Sequence, residues 1–192
     1  MRVFLAGASG VIGIRLIPLL AADGRHVTAM TRSHSKADAL RYLGADPIVC
    51  DVFDTTALCE AVIAAGPDVI MSQITDLPDE LDRFGEFGAA NARIHREGTQ
   101  NLLAAAHAAG VARFIARSVA WAIPGDGGAA VEDMERAVLS TGGTVIRYGQ
   151  IYGDGTYHEA PPALGPIVHV DTAARRTLVA LATNVALLTV VD

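Results

Sequence analysis

Basic residues are scarce in this 192-residue chain. Fifteen Lys and Arg face 21 Asp and Glu, which leaves a formal charge of −6 and a pI near 5.4. A nucleic-acid binder carries a basic footprint, so that class is excluded. Cysteine is scarcer still. Cys50 and Cys59 fall into neither zinc-binding nor redox spacing, and they read as packing residues of a protein in a reducing cytoplasm. Metal-binding clusters are missing too: His95 and His107 stand twelve residues apart in one helical stretch, whereas helix neighbours lie three or four apart. No apolar run is long enough to span a bilayer. The N-terminus lacks the basic segment and long apolar stretch of a signal peptide. Charged residues make up only 19% against 51% hydrophobic, which excludes disorder. The expectation is one globular domain over residues 1–192 with a substantial core.

Glycine, by contrast, is well supplied and well placed. Arg2-Val3-Phe4-Leu5-Ala6 is a short apolar run suited to a buried parallel strand. Gly7, Gly10 and Gly13 follow at G-x-x-G-x-x-G spacing, and a helix opens at Ile14. Gly7 permits the sharp turn, Gly10 admits a diphosphate to the backbone, and Gly13 lets helix and strand pack closely. The helix start adds free N–H groups and a positive dipole end. With Ser9, Val11 and Ile12 these residues form a candidate dinucleotide seat; a plain tight turn is the alternative.

The rest alternates strand and helix. Strands are expected at His26–Met30, Pro47–Cys50, Pro67–Met71, Val111–Ala116 and Thr144–Arg147. Helices are expected at Lys36–Tyr42, Thr55–Ala64 capped by Asp54, Asn91–Ala109 and Val131–Ser140. Asp76–Gly88 reads as a loop or short helix over the site, and Gly125–Gly128 as a flexible loop. After a loop to Pro166 come a strand at Ile167–Val170, a helix capped by Asp171 and running to Thr183, and a strand at Ala186–Val191. The pattern specifies an α/β protein with a doubly wound parallel sheet. The second strand ends in Thr31-Arg32-Ser33 with no carboxylate to accept a ribose 2′-hydroxyl. Arg32 and Ser33 suit a 2′-phosphate, which favours NADP over NAD; a solvated Arg32 is the plain alternative. Asp51 and Val52 could hold an adenine, although Asp also caps turns. Gln73 lies at the strand edge where such sheets bind ligands.

The chain resembles the extended and atypical short-chain dehydrogenase/reductases, the NAD(P)-dependent epimerase/dehydratase-like proteins. The resemblance rests on the glycine triplet, Asp51-Val52, Glu97-Gly98-Thr99-Gln100-Asn101-Leu102-Leu103, Arg113-Phe114-Ile115, the Arg147–Gly153 stretch and His169-Val170-Asp171. It implies an NAD(P)-binding Rossmann fold with a much reduced C-terminal substrate lobe at residues 154–192. It also implies a Tyr-x-x-x-Lys catalytic pair, which this chain does not carry. With Glu135 set on the glutamate of that helix, Gly127 and Val131 stand in its place, and Lys36 is the sole lysine. Ser118 lies at or beside the catalytic serine, with Val119 the other candidate.

Three functions remain open, in this order. The first is an NAD(P)-dependent oxidoreductase for a small aromatic or quinone-like substrate, with Ser118, Tyr148 and Tyr152 as candidate catalytic groups. Gln150 joins its cofactor site, and Gln73, Trp121 and His158 its substrate site. An oxygen-dependent oxidation on the cofactor platform is a variant. The second is a non-catalytic NAD(P) sensor, the third a partner-binding scaffold. Apolar surface left by the reduced lobe points to a homodimer.

Overall fold

The computed structural model describes residues 1–78 and 81–192. Seven parallel strands form the central sheet: β1 (Arg2–Ala6), β2 (His26–Thr31), β3 (Asp46–Val49), β4 (Val69–Ser72), β5 (Arg113–Val119), β6 (Thr144–Tyr148) and β9 (Leu187–Val190), in the order β3-β2-β1-β4-β5-β6-β9. Two short strands, β7 (Gln150–Tyr152) and β8 (Ile167–His169), pair separately. From β1 the chain winds outward to β2 and β3, then returns to lay β4 on the other side of β1. The crevice at such a switch point is where open α/β sheets bind ligands.

Helices cover both faces, because strands buried on both sides need two apolar layers. On one face α1 (Gly13–Ala22) and α7 (Val170–Ala182) close a core around Leu5, Leu16, Met71, Ile115 and Tyr148. On the other, α3 (Thr55–Ala65), α5 (Thr99–Ala108) and α6 (Gly125–Ser140) close a core around Phe4, Ile70, Leu102, Phe114 and Met134. Two short helices complete the set, α2 (Ala37–Tyr42) and α4 (Gly88–Arg93).

Several expectations shift. Gly125–Gly128 is not a loop but the first turn of α6. Tertiary packing overrides the poor helix propensity of glycine there: a Cβ on Gly128 would lie 1.9 Å from the Ile123 carbonyl oxygen. Asn91–Ala109 is helical as far as Ala108, with a π-helical turn at Ile94–Gly98 set between α4 and α5. The cap of α7 is His169, whose Nδ1 accepts from the Asp171 N–H at 3.3 Å. Asp171 instead turns its carboxylate to Arg15 Nε, 2.8 Å away, tying α7 to α1. Asp54 caps α3 as expected, accepting from Ala57 N–H at 3.0 Å. Of the Asp76–Gly88 segment, residues 79 and 80 lie outside the described residues, and Leu81–Phe87 forms a 3-10 helix. Among the described residues no helix is long and apolar enough to cross a membrane, and no group of three His, Cys, Asp or Glu could hold a metal.

Candidate functional site

The glycine turn lies at the switch point. Gly7 has φ +76°, and a Cβ there would meet the Gln73 backbone at 2.6 Å. Gln73 N–H donates to the Ala6 carbonyl at 2.8 Å, so the ends of β1 and β4 are locked together. A Cβ on Gly13 would come within 2.5 Å of the Ala8 carbonyl oxygen, which makes this glycine a packing requirement. Gly10 differs: its Cβ would meet only the Gly7 carbonyl oxygen, at 3.4 Å. Space above Gly10 is thus open, bounded by half-buried Ser9 and Val11. The Ser9 hydroxyl lies 3.1 Å from that of Thr31, joining the turn to β2. No side chain caps α1; Ile12 holds the capping position without an acceptor. The N–H groups of Ile14 and Arg15 are already bonded to the Gly10 and Ile12 carbonyls, at 3.0 and 3.1 Å, and the positive end of the helix dipole faces the turn.

Around this turn the other candidates divide. Arg32 Nη2 pairs with Asp76 Oδ1 at 2.8 Å, and the Asp76 N–H is held by Asn91 Oδ1 at 3.2 Å. Ser33 N–H donates to the Thr31 hydroxyl at 3.2 Å. Asp51 caps its own turn, accepting from Phe53 N–H at 2.9 Å. Val52 is in the core, and its carbonyl accepts from Asn101 Nδ2 at 3.0 Å. Burial, with Asp54 and Asp51 nearby, pushes the Cys50 thiol up and keeps it protonated. Gln150 holds the following loop, donating from Nε2 to the Leu164 carbonyl at 2.7 Å.

The three candidate catalytic hydroxyls do not converge. Residues on a strand alternate between faces, so Ser118 points toward α6 and Tyr148 toward α1 and α7. Each has also committed its proton. Ser118 donates to Glu135 Oε1 at 2.5 Å, and Glu135 is paired with Arg147. Burial pushes Glu135 up, but the bonds from Arg147 and Ser118 outweigh it and hold the carboxylate ionised. Tyr152 donates to Asp192 Oδ2 at 3.0 Å. Thr177 donates its single hydroxyl proton to the Ala173 carbonyl at 2.7 Å, so in the 2.5 Å contact between Tyr148 and Thr177 the phenol must be the donor. Burial pushes the Tyr148 phenol above its ordinary value.

Gln73 and Tyr148 do meet: Gln73 Nε2 donates to the phenol oxygen at 3.4 Å. Gln73 is 5% exposed, and its Oε1 has no hydrogen-bond partner. Three further residues join this recess. Arg117 faces it from β5, His95 is buried beside it, and the hydroxyl of Tyr157 donates to the Pro78 carbonyl. Burial, assisted by Arg117, pushes His95 down to about 4. The signal for Arg117 was present in the sequence as a cation two residues beyond Ile115, inside the apolar run that follows Arg113. Nothing local marked His95 as inward. His158 and Tyr152 neighbour one another across a β-bridge. Trp121, 38% exposed, lies in a different cleft of 370 Å³ with Val131 and Glu135 on the α6 face.

Residues 7–144 match the family model described as NAD(P)H-binding. The chain belongs to this NAD(P)H-binding family. It is 38% identical over 180 residues to a 3-diazoavenalumate denitrifying reductase from a Streptomyces species, covering 81% of this chain and 58% of that protein. It is 35% identical over 115 residues to a 4-hydroxy-2-methyl-3-oxo-4-farnesyl-3,4-dihydroquinoline-1-oxide ketoreductase from Stigmatella aurantiaca, covering 60% of this chain and 32% of that one. The NAD(P)H-binding chain thus spans less than two thirds of the length of each of these curated relatives. UDP-glucose 4-epimerase from Thermus thermophilus, solved with NAD, superposes with a TM-score of 0.84 over 100% of this chain and 78% of its own, at 18% identity. The same enzyme from Thermotoga maritima gives 0.79 over 94% and 73%, at 19% identity. The likeness to both is one of fold. The residues of this chain fit a dinucleotide on two counts: the cradle at Gly10 that a Cβ would fill, and the buried Gln73 amide oxygen without a partner.

Proposed function

We propose that the chain is an NAD(P)-dependent oxidoreductase for a small aromatic or quinone-like substrate and works without a tyrosine–lysine couple. The observation that carries this reading is the open main-chain cradle at Gly10 under an uncapped α1. Gly7, Ser9, Gly10, Val11, Ile12 and Gly13 would hold the diphosphate. Asp51 and Val52 would hold the adenine end, and Gln73, with Gln150 behind it, the other end. Arg32 and Ser33 would take a 2′-phosphate, which makes NADP the preferred form. The bound cofactor would supply hydride transfer. Tyr148 would act as a positioning residue that orients the Gln73 amide, because its proton leads only to Thr177 and a backbone carbonyl. Ser118 and Tyr152 are committed likewise, so the proton would come from solvent or from the substrate. His158 would border the substrate entrance, whereas Trp121 stands in the separate cleft on the α6 face. The named relatives, a reductase of a diazo compound and a ketoreductase of a quinoline oxide, support a reductase of small unsaturated molecules. The exposed Leu187 and Val185 at the β9 edge suit a homodimer.

The committed hydroxyls favour a second reading, a sensor that binds the dinucleotide without turnover. One experiment separates the two. NADPH is titrated against the protein by calorimetry, then consumed against quinones, diazo compounds and ketones. Binding with slow oxidation supports the oxidoreductase, binding with an inert panel supports the sensor, and no binding refutes both.

A further inference from the structure

The recess at the ends of β4, β5 and β6 contains a cation that no described residue balances. Ile115 enters the core beside α1 and α7, and Arg117, two residues further along β5, faces the same side. Its side chain is only partly solvent-accessible, and burial pushes the guanidinium below its ordinary basicity. Among the described residues it makes no ion pair and no hydrogen bond. The groups that feel its charge are the phenols of Tyr148 and Tyr157 and the imidazole of His95. Burial keeps the Tyr148 phenol protonated and the His95 imidazole neutral, so neither supplies an anion. A guanidinium offers five N–H donors, and leaving such a group desolvated and unpaired is costly.

A second orphan lies in the same recess. Gln73 Oε1 is buried without a partner. Turning the amide over would not cure this: one atom would face Tyr148 and the other would still be unpaired. The recess therefore presents a cation in want of an anion and an amide in want of one more polar group, between two phenol rings and an imidazole. His95 is buried in the π-helical turn at Ile94–Gly98 and within reach of the Arg117 charge, and such turns often occur at functional sites.

We propose that Arg117 anchors a carboxylate of the substrate, so that the preferred substrate is a small aromatic acid whose ring lies against Tyr157 and whose polar substituent meets Gln73. The planar fork of Arg117 matches a carboxylate through two parallel N–H···O bonds. One guanidinium without a second cation suits a single negative charge better than a phosphate. This inference rests on the oxidoreductase reading for the role of the recess.

The test compares 4-hydroxybenzoate with its uncharged amide, 4-hydroxybenzamide, by calorimetry on NADPH-loaded protein. The wild type binds the acid at least ~10-fold more tightly than the amide. Arg117→Gln loses that advantage, leaves amide and NADPH affinities unchanged, and melts as a folded protein. Arg117→Lys restores part of the advantage, because a point charge replaces the fork. Equal binding of acid and amide by the wild type, or no binding of the acid, overturns the proposal. So does an Arg117→Gln protein that keeps the acid affinity, or one that loses NADPH affinity in parallel, which would assign Arg117 to the cofactor. If Arg117→Gln does not fold, Arg117→Lys decides: weaker acid binding supports the anchor and unchanged binding refutes it. Failure of the wild type to bind NADPH overturns the oxidoreductase reading alone, and the acid–amide comparison on the free protein still decides Arg117.

Discussion

The guanidinium of Arg32 and the carboxylate of Asp76 lie 2.8 Å apart, and this pair joins the end of β2 to the segment after β4. It supplies the acidic group that the end of β2 lacks, from a distant part of the chain. Arg32 is largely exposed, so the pair is worth no more than about 1 kcal/mol, and a 2′-phosphate could displace it. Asp76→Asn is expected to tighten NADPH binding by roughly up to 5-fold while leaving NADH unaffected. Arg32→Gln is expected to abolish any preference for NADPH. Parallel titrations of the two dinucleotides check this; equal changes for both would remove Arg32 from the phosphate site.

Gly10 and Gly13 make opposite predictions. Gly13→Ala forces a Cβ to 2.5 Å from the Ala8 carbonyl oxygen and is expected to cost about 1–3 kcal/mol of stability through overpacking. At Gly10 the same methyl has room, so Gly10→Ala folds normally. Its methyl fills the cradle, and NADPH binding falls by roughly tenfold or more. Urea melts paired with NADPH calorimetry distinguish the two. A destabilised Gly10→Ala protein would count against the open cradle.

His95 links stability to pH. Its folded value is about 4 against an ordinary 6.5, because burial, assisted by Arg117, disfavours the charged ring. The unfolded chain therefore takes up a proton first as pH falls. The contribution is fully present above pH 6.5 and is lost as pH drops toward 4, by roughly 3 kcal/mol in total. Urea denaturation at a series of pH values should show a steeper loss in wild type than in His95→Gln. Identical slopes would mean that the ring is not buried neutral.

Tyr148 tests the committed-proton argument. Tyr148→Phe leaves Thr177 bonded to the Ala173 carbonyl but strips Gln73 of its partner, at a cost near 1 kcal/mol. A positioning role predicts weaker substrate binding with the pH profile of turnover unchanged. Loss of a titrating limb from that profile would make Tyr148 the proton donor after all.

Much of the fold was legible because its cues are local. Short apolar runs, the Gly7–Gly13 spacing and the Asp54 cap each act within a few residues, and the structure has them where the sequence put them. The misses lie where packing outweighs propensity. Gly125–Gly128 looks like a loop until Ile123 is laid against Gly128, and Asp171 looks like a cap until α1 brings Arg15 beside it. The site was half legible. The glycine turn announced itself, whereas the recess joins Gln73, His95, Arg117, Tyr148 and Tyr157, which come from five separate segments.

Residue order alone settled the alternation of strands and helices, the acidic balance and the bare main chain at the head of α1, since these follow from neighbouring residues. Only the folded chain decided where the protons and charges end. It gave the hydroxyls of Ser118, Tyr148 and Tyr152 to Glu135, Thr177 and Asp192, and it left Arg117 without a carboxylate among the described residues. Hydrogen bonds and ion pairs depend on distances between segments far apart in sequence, and those distances exist only once the sheet has closed.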